Sequence, residues 1–492
     1  MLRKSARMRK KSRIVTGSSM VAAGAVALSL AGAAAASGAS AATAGTAKAP
    51  VATAARAADA VNKNLYPFGM PQGGTAVTVP APPGEPTLSP TFTTKTTTRI
   101  YGADPFQEAV SVTQHEWPAV IPLNNPTENN NVPDRPWGLT LVTPDDPLTA
   151  ISAVPLIHFP DDAPILYVTK NGIPAITLNE IKRLGDTGIS RFNNVDAFLV
   201  GAAANPTVES QLKSIGLKYY AITAPNVYEL ANKVDQVYGS IQNPDTGVPQ
   251  METSASTGGN GAQDVMIGAV NAYQYILPAT HWVSHMPAGL LWVNKTGVLP
   301  ASTVTALKRR GGKALIYVWG GPDQVSPQVI KELTAYGSVT RITNNDAVAY
   351  NANPPDTPVE TAIAFAKMWD PAGMVGWKIT GPGHGFTLVN VNDWPAAVAS
   401  APLSHLGFHA PLLLTNSPTS LPTQLDNYFK SVAPTFLNTP ADGPYNMTYA
   451  VGSWNQVSWG TQAHVDYISE MGNRRVWSDN TGSGYTNSQP TG

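Results

Sequence analysis

A short sequence segment occurs three times along the chain, and this repetition limits the fold more than any other feature. The three copies contain Ala163-Pro164-Ile165-Leu166, Ala288-Gly289-Leu290-Leu291 and Ala410-Pro411-Leu412-Leu413. Their spacings are 125 and 122 residues, close to the size of an ordinary domain. A chain of 492 residues also exceeds what one hydrophobic core usually supports.

Three other anchors recur in the same order around each copy: an upstream isoleucine, a hydrophobic residue followed by proline, and an apolar run that ends in glycine. They are Ile100, Ile173-Pro174 and Val200-Gly201; Ile222, Leu299-Pro300 and Trp319-Gly320; and Ile342, Leu421-Pro422 and Val451-Gly452. Four ordered anchors at a near-constant period are hard to obtain by chance. The sequence therefore predicts three copies of one domain.

Short apolar stretches alternate with helical patterns inside the first copy. Strands are predicted at Leu139–Val142, Ile165–Val168, Ala197–Val200 and Leu217–Ile222. This alternation is typical of α/β units with a largely parallel sheet. We therefore expect an α/β fold of three tandem modules, with ligand sites at the carboxyl ends of the strands.

The composition divides the chain into six segments. They are a signal peptide (1–41), a tether rich in Ala, Pro and Thr (42–96), repeats at 97–220, 221–338 with a loop at 239–262, and 339–472, and a disordered tail (473–492). Residues 1–41 combine seven basic and no acidic side chains with an apolar run and the small-x-small sequence Ala39-Ser40-Ala41. Such a segment is typical of a secretory signal. The alternative is a membrane anchor, for which the run is short and rich in alanine.

Charge and cysteine content exclude several partners. Removing residues 1–41 leaves 25 basic against 32 acidic side chains, a net charge of −7. Nucleic acid and anionic membrane surfaces select positive potential, so we expect no nucleic acid partner. The sequence after the signal shows no transmembrane run, so we expect no membrane insertion after signal removal. The chain contains no cysteine, which excludes disulfides, thiolate metal sites and cysteine nucleophiles.

Further motifs accompany the anchors. The first repeat has Arg-Ile-Tyr-Gly-Ala-Asp at 99–104 and Pro-Asp-Asp-Pro-Leu at 144–148, while the third has Arg341-Ile342, Asn392-Asp393 and Ala-Pro-Leu-Leu-Leu-Thr at 410–415. Together with the anchors, these motifs resemble the bacterial cell wall binding repeat type 2 family, whose modules also occur in threes. The resemblance extends from about residue 97 to 472.

The resemblance implies Toprim-like modules packed around a pseudo-threefold axis. It also implies a secreted protein, held at the cell wall or cell surface, that binds a cell wall polysaccharide or secondary anionic polymer noncovalently. Repeats of this family usually accompany an effector such as an amidase; none is evident here, so we expect no enzymatic activity. Pro105 stands where the family usually has Arg, Ala221 replaces the Arg before Ile222, and Val270-Asn271-Ala272-Tyr273 replaces the Pro-Asp loop. The second repeat is therefore expected to be degenerate as a ligand site.

Loops at the predicted strand ends carry the candidate ligand-binding residues. Their carboxylates and amides could bind sugar hydroxyls, and Lys170 and Lys295 could pair with a phosphate or carboxylate. The candidates are Asp145, Asp146, Thr169, Lys170 and Asn171 in the first repeat and Asn392, Asp393, Thr415 and Asn416 in the third. The alternative is that Asp146 and Asp393 cap helices and that the lysine loops are ordinary polar turns.

No other pattern indicates catalysis, a metal site or a cofactor. His281 and His285 are four residues apart, but no third ligand is evident, and a helix C-terminus favours histidine for electrostatic reasons. The eleven tryptophans could stack on sugars, but Trp292 and Trp319 fall in predicted strands and are assigned to the core. The alternative functions are a wall-active hydrolase with unrecognised carboxylate catalysis and a structural surface-layer subunit.

Overall fold

The computed structural model describes residues 92–119, 134–158, 161–186, 188–189, 192–240, 263–342, 357–405, 408–434 and 444–470. The expected signal peptide, most of the tether, the loop from residue 241 to 262 and the tail lie outside these ranges. In the described ranges, no helix is long and apolar enough to span a membrane.

The described residues form alternating strands and helices. The strands are β1 (Phe92–Thr93), β2 (Thr97–Ile100), β3 (Leu139–Val142), β4 (Ile165–Tyr167), β5 (Ala197–Val200), β6 (Tyr219–Ile222), β7 (Asp264–Ala269), β8 (Gly289–Val293), β9 (Ala314–Val318), β10 (Gly337–Arg341), β11 (Gly385–Asn390), β12 (Leu412–Thr415) and β13 (Met447–Val451). The helices are α1 (Pro105–Glu116), α2 (Pro147–Ala153), α3 (Ala175–Leu184), α4 (Pro206–Ser214), α5 (Val227–Ser240), α6 (Leu277–His285), α7 (Ala301–Lys308), α8 (Pro327–Leu333), α9 (Pro358–Lys367), α10 (Trp394–Ala399), α11 (Thr423–Val432) and α12 (Trp459–Glu470).

Within the described ranges, the strands make three sheets with the same topology. Their orders are β4-β3-β5-β6, β8-β7-β9-β10 and β12-β11-β13-β2, and every pair within these orders is parallel. The predicted α/β fold of three modules with largely parallel sheets is thus confirmed. The central strands are buried on both faces, as is typical of parallel sheets, whereas the edge strands β6 and β10 are partly exposed.

Each sheet and its helices form one module. The first module is 105–222, the second is 227–342, and the third is 357–470 together with 92–100. A helix leads each module: α1 packs against α3 and β4, α5 against α7 and β8, and α9 against α11 and β12. These leading helices follow the last strand of the preceding sheet, so the chain crosses from one module to the next between that strand and the helix.

The last strand of the third module comes from the beginning of the described chain. Strand β2 pairs with β13 in the register Thr97↔Thr448 to Ile100↔Val451, which is the position that β6 and β10 occupy in the other sheets. The sequence repeats therefore begin with a strand that completes the preceding sheet. For this reason the predicted repeat boundaries after residues 220 and 338 fall inside β6 and β10.

Residues 92–96, which the sequence analysis placed in the tether, belong to the third module. Strand β1 pairs antiparallel with β2, and the carboxylate of Asp466 on α12 binds the turn between them. The backbone NH of Thr96 and the hydroxyl of Thr94 donate to Asp466 Oδ1 at 2.7 and 2.8 Å. The predicted loop at 239–262 needs a similar correction, because its first two residues complete the hydrogen-bonded helix α5.

Equivalent segments of the three modules contact one another at the centre of the molecule. These are α2 with a 3-10 turn at Val154–Ile157, α6, and α10 with a 3-10 turn at Ala401–Ser404. The contacts include the indole of Trp292, which donates to Ser152 Oγ at 2.7 Å. Trp292 and Trp319 are fully buried, which confirms their assignment to the core.

A buried arginine fixes the loop after a strand in two of the modules. Arg99 donates to Gly452 O at 3.1 Å and to Val457 O at 2.6 Å, and its Nε donates to Gln462 Oε1 at 3.0 Å. Arg341 donates to the equivalent carbonyls of the second module, Gly320 O and Val325 O. Burial lowers the pKa of Arg99 to about 9. The Arg-Ile motif thus has a structural role in both places.

Replacing Arg99 with alanine should detach β2 from the third sheet. The change removes the arginine donor from two carbonyls and from the side chain of Gln462 in a buried site, so we expect a loss of about 3 kcal/mol in the free energy of unfolding. Hydrogen exchange should accelerate in β13 more than in β5. Lys95→Ala, in the same segment but 60% exposed, should cost less than about 1 kcal/mol. Equal effects of the two substitutions would contradict the role assigned to Arg99.

Candidate functional site

The loops that follow the parallel strands line one edge of each sheet. In all three sheets the central pair of strands is a topological switch point, because the chain leaves β3, β7 and β11 in one direction and returns to β5, β9 and β13 on the other side. Open α/β sheets bind ligands outside the carboxyl ends of the strands at this point. These carboxyl edges are therefore the candidate sites.

The aspartates of the first module lie at the switch point of its sheet. Asp145 and Asp146 are exposed and follow β3. Asp146 Oδ1 accepts from the backbone NH of Leu148 at 3.0 Å, and its Oδ2 accepts from the hydroxyl of Thr149 at 2.6 Å. Asp146 thus caps α2, while the carboxylate of Asp145 extends from the same exposed loop.

The predicted residues after β4 form a tight turn beside these aspartates. Thr169 pairs with Gly172 across the turn, and its Oγ1 accepts from the NH of Asn171 at 3.1 Å. Lys170 and Asn171 are exposed. Since β3 and β4 are parallel neighbours, the structure brings all five predicted residues of the first module to one edge.

The second module carries an equivalent exposed lysine. Lys295 follows β8 by two residues and lies seven residues after Ala288, as Lys170 lies seven after Ala163. Its Nζ is 3.9 Å from Asp323 Oδ1, in an exposed ion pair. The repeated position therefore presents a cation at the carboxyl edge of two different sheets.

The predicted residues of the third module differ in exposure. Asn392 and Asn416 are exposed after β11 and β12. Thr415 is fully buried, and its hydroxyl donates to Ser417 O at 3.0 Å. Asp393 directly precedes α10, as Asp146 precedes α2, but it is only 6% exposed. The edge thus brings the four residues together, but two of them face the interior.

Asp393 adjoins a second buried acid that the sequence analysis missed. Glu108 of α1 is 3% exposed, and a Cβ atom built on Gly452 would lie 3.0 Å from Asp393 Oδ2 and 3.7 Å from Glu108 Oε1. Burial, followed by the charge and hydrogen bond of Asp393, raises the pKa of Glu108 to about 9. Burial raises the pKa of Asp393 to about 6. Glu108 is therefore protonated at neutral pH.

Two differences between the modules accompany this acid pair. Thr149, which binds Asp146 in the first module, is replaced by Ala396 at the equivalent position of the third. Glu108 lies beside the aspartate there, and Leu230 has the equivalent place in α5. The sequence does show that the third module lacks the threonine that binds the aspartate in the first module. The residues around Ala396 do not show that Glu108, far away in sequence, lies beside Asp393 instead.

The two spaced histidines lie at the contact between modules. His281 is fully buried, with Nδ1 2.6 Å from Ser404 Oγ, and burial lowers its pKa to about 4. His285 stacks on Trp377 at 5.0 Å, and burial lowers its pKa to about 3. Among the residues with a described placement, no group of three His, Asp or Glu side chains is arranged to hold a metal ion.

Comparison with known proteins identifies a fold rather than a family. No protein-family model and no curated protein matches the chain. Cwp8 from Clostridium difficile matches with a TM-score of 0.53 and 15% identity over 76% of this chain and 52% of that one. Cwp6 from the same organism matches with a TM-score of 0.54 and 15% identity over 76% of this chain and 47% of that one. The chain thus spans about half the length of these structures and has their fold.

Glu108 should make stability depend on pH. Its folded pKa is raised, so its contribution is fully present below the unfolded value of about 4.3 and is lost as pH rises towards 9. The wild type should lose stability between pH 6.5 and 8.5, a range above the pKa of Asp393, whereas Glu108→Gln should not. The unfolding free energy of the variant minus that of the wild type should therefore rise by more than about 1 kcal/mol over this range. Denaturant titrations at both pH values measure this difference.

Asp323→Asn is the matched control for this titration, because that carboxylate is 94% exposed. Its difference from the wild type should stay constant over the same pH range. A constant difference for Glu108→Gln as well would show that Glu108 is ionised in the folded protein.

Proposed function

We propose that this chain is a secreted, noncatalytic cell-envelope protein that binds an anionic cell wall polymer noncovalently through its α/β modules. The matched structures, Cwp8 and Cwp6, are cell wall proteins of Clostridium difficile. The motifs that resemble cell wall binding repeats lie on the shared scaffold, and the predicted signal peptide supports export. The Toprim-like character of the modules is part of the same proposal.

The observation that carries the proposal is the repeated lysine at the carboxyl edge. Lys170 and Lys295 are exposed at equivalent positions of two sheets, although the chain without residues 1–41 has a net charge of −7. A local cation in an acidic protein favours an anionic group that is bound at a defined place over general attraction to polyanions. A polymer with repeated anionic groups can contact both lysines at once.

The arrangement of carboxylates supports a noncatalytic role. A general acid or base must lie within hydrogen-bonding reach of its substrate. Glu108 and Asp393 have the most perturbed carboxyl groups at the carboxyl edges described above, but they are almost fully buried. Asp146 is occupied as a helix cap. The exposed Asp145 and Asp146 are adjacent in sequence, which does not by itself set the carboxylate separation of about 5 to 9 Å that a glycoside hydrolase needs. The described carboxylates therefore favour binding over hydrolysis.

Neutralising both lysines should weaken wall binding. The double variant Lys170→Ala, Lys295→Ala should bind purified walls roughly tenfold more weakly, since each exposed charge pair contributes up to about 1 kcal/mol. The matched control is Lys182→Ala, Lys308→Ala, which removes two exposed lysines from the last turns of α3 and α7. Those turns lie at the opposite, amino edge of the same two sheets. Co-sedimentation with walls measures both variants.

Extraction of the walls tests the ligand itself. The wild type should lose most of its binding when the secondary anionic polymers are removed, and added salt should weaken binding to untreated walls. Unchanged binding to extracted walls, or equal loss in the two double variants, would contradict the anionic polymer as ligand. Release of soluble wall fragments would favour the hydrolase, and a regular array on cells would favour the surface-layer subunit.

A further inference from the structure

We propose that the carboxyl edge of the third module binds an uncharged sugar ring of the wall polysaccharide, stacked on Tyr101 and Trp454. The inference rests on the proposed function and assigns a different ligand chemistry to one of the modules. The first two modules present a lysine at this edge, whereas the third presents two aromatic rings.

Parallel pairing of β2 with β13 brings the two rings together. Tyr101 directly follows β2, and Trp454 lies three residues after the end of β13. Their ring centroids are 6.1 Å apart and their planes differ by 37°. Both side chains are half-buried. Neighbouring aromatic rings of this kind offer an apolar surface about the size of a sugar ring, while the phenol and indole retain polar groups at their margins.

Contacts with Arg99 and Trp459 fix the orientation of the Trp454 ring. The guanidinium of Arg99 lies 4.3 Å from the Trp454 ring centroid, and Trp459 contacts the ring edge-on at 6.1 Å. Arg99 is itself fully buried and fixed by the carbonyls of the same loop. The exposed part of Trp454 therefore points away from Arg99. A ring with a fixed orientation loses little conformational entropy on binding.

The surrounding loops favour a neutral ligand. The segments that follow the four parallel strands of the third module, at 101–104, 391–393, 416–422 and 452–458, contain no Lys, Arg or His. Ser417 stands at the position of Lys170 and Lys295. Exposed Asp104, Asn392 and Asn455 offer acceptors and donors for sugar hydroxyls. These loops offer an anionic sugar no exposed cation to pair with, and the carboxylate of Asp104 would repel it.

The aromatic pair is specific to this module. The loop Gly-Ser-Trp-Asn-Gln-Val-Ser at 452–458 matches Gly-Gly-Pro-Asp-Gln-Val-Ser at 320–326, so Pro322 stands where the third module has Trp454. The same carbonyls bind the buried arginine in both loops, which shows that the loop fold does not require tryptophan. The ring is therefore available for a role other than shaping the loop.

The experiment uses the full chain with two probes, the neutral trimer of N-acetylglucosamine and the anionic trimer of galacturonic acid. Tryptophan fluorescence and indole NMR signals report binding of each trimer. The indole signal of Trp454, which reports on the third module alone, should respond to the neutral trimer at lower concentration than to the anionic one. Tyr101→Ala should lower the affinity for the neutral trimer roughly fivefold or more, since aromatic contacts contribute on this scale. Trp454→Phe should lower it as well while preserving contact with Arg99.

Trp377→Phe is the matched control, because Trp377 is a half-buried tryptophan in a different cluster. It should leave the affinity unchanged. The inference is overturned if the wild type does not bind the neutral trimer, or if Tyr101→Ala binds it as tightly at unaltered thermal stability. If either of these results is obtained while the wild type still binds purified walls, the inference fails but the proposed function stands. If the wild type does not bind purified walls, the proposed function itself is overturned.

Discussion

The parallel pairing of β2 with β13 is the contact on which the closed arrangement of the modules depends. It joins segments about 350 residues apart and gives the third sheet the strand that the other two sheets obtain from the chain that directly follows them. Bringing such distant segments together costs loop-closure entropy, which the contacts of the third sheet must offset. The buried guanidinium of Arg99 makes this pairing specific, since it binds the loop after β13 as well as Gln462.

The leading helices explain why the candidate sites lie near the contacts between modules. Each of α1 and α5 begins at the carboxyl edge of one sheet and packs against the next module. Glu108 illustrates the consequence. It belongs to a helix of the first module, yet its carboxyl group meets Asp393 and Gly452 of the third. An edge of one module is thus completed by a side chain of another, and the modules are not independent units.

The sequence was sufficient to predict the four strands of the first sheet, because short apolar runs between helical patterns have few other solutions in a chain of this size. It could not show which sheet receives each strand. Ile100, Ile222 and Ile342 mark equivalent strands, but their hydrogen-bonded partners are set by tertiary contacts. Asp146 and Asp393 were equivalent ligand-site candidates, because their positions in the repeat are the same and the sequence does not show their tertiary contacts. Their surroundings differ, since Asp146 accepts a hydrogen bond from the hydroxyl of Thr149 whereas Asp393 lies beside the buried Glu108.

Comparison of the three edges separates scaffold from surface. The glycine after the third strand recurs in all three modules and the buried arginine in two of them, because each satisfies backbone groups or packing that the fold requires. The position seven residues after the repeated alanine, in the loop after the second strand, satisfies no such requirement. It is occupied by Lys170, Lys295 and Ser417 in the three modules. Divergence at the carboxyl edge of one repeated scaffold gives the protein several different surfaces. If the proposed function is correct, a wall polymer whose repeating unit contains both charged and uncharged parts would match such a set of surfaces.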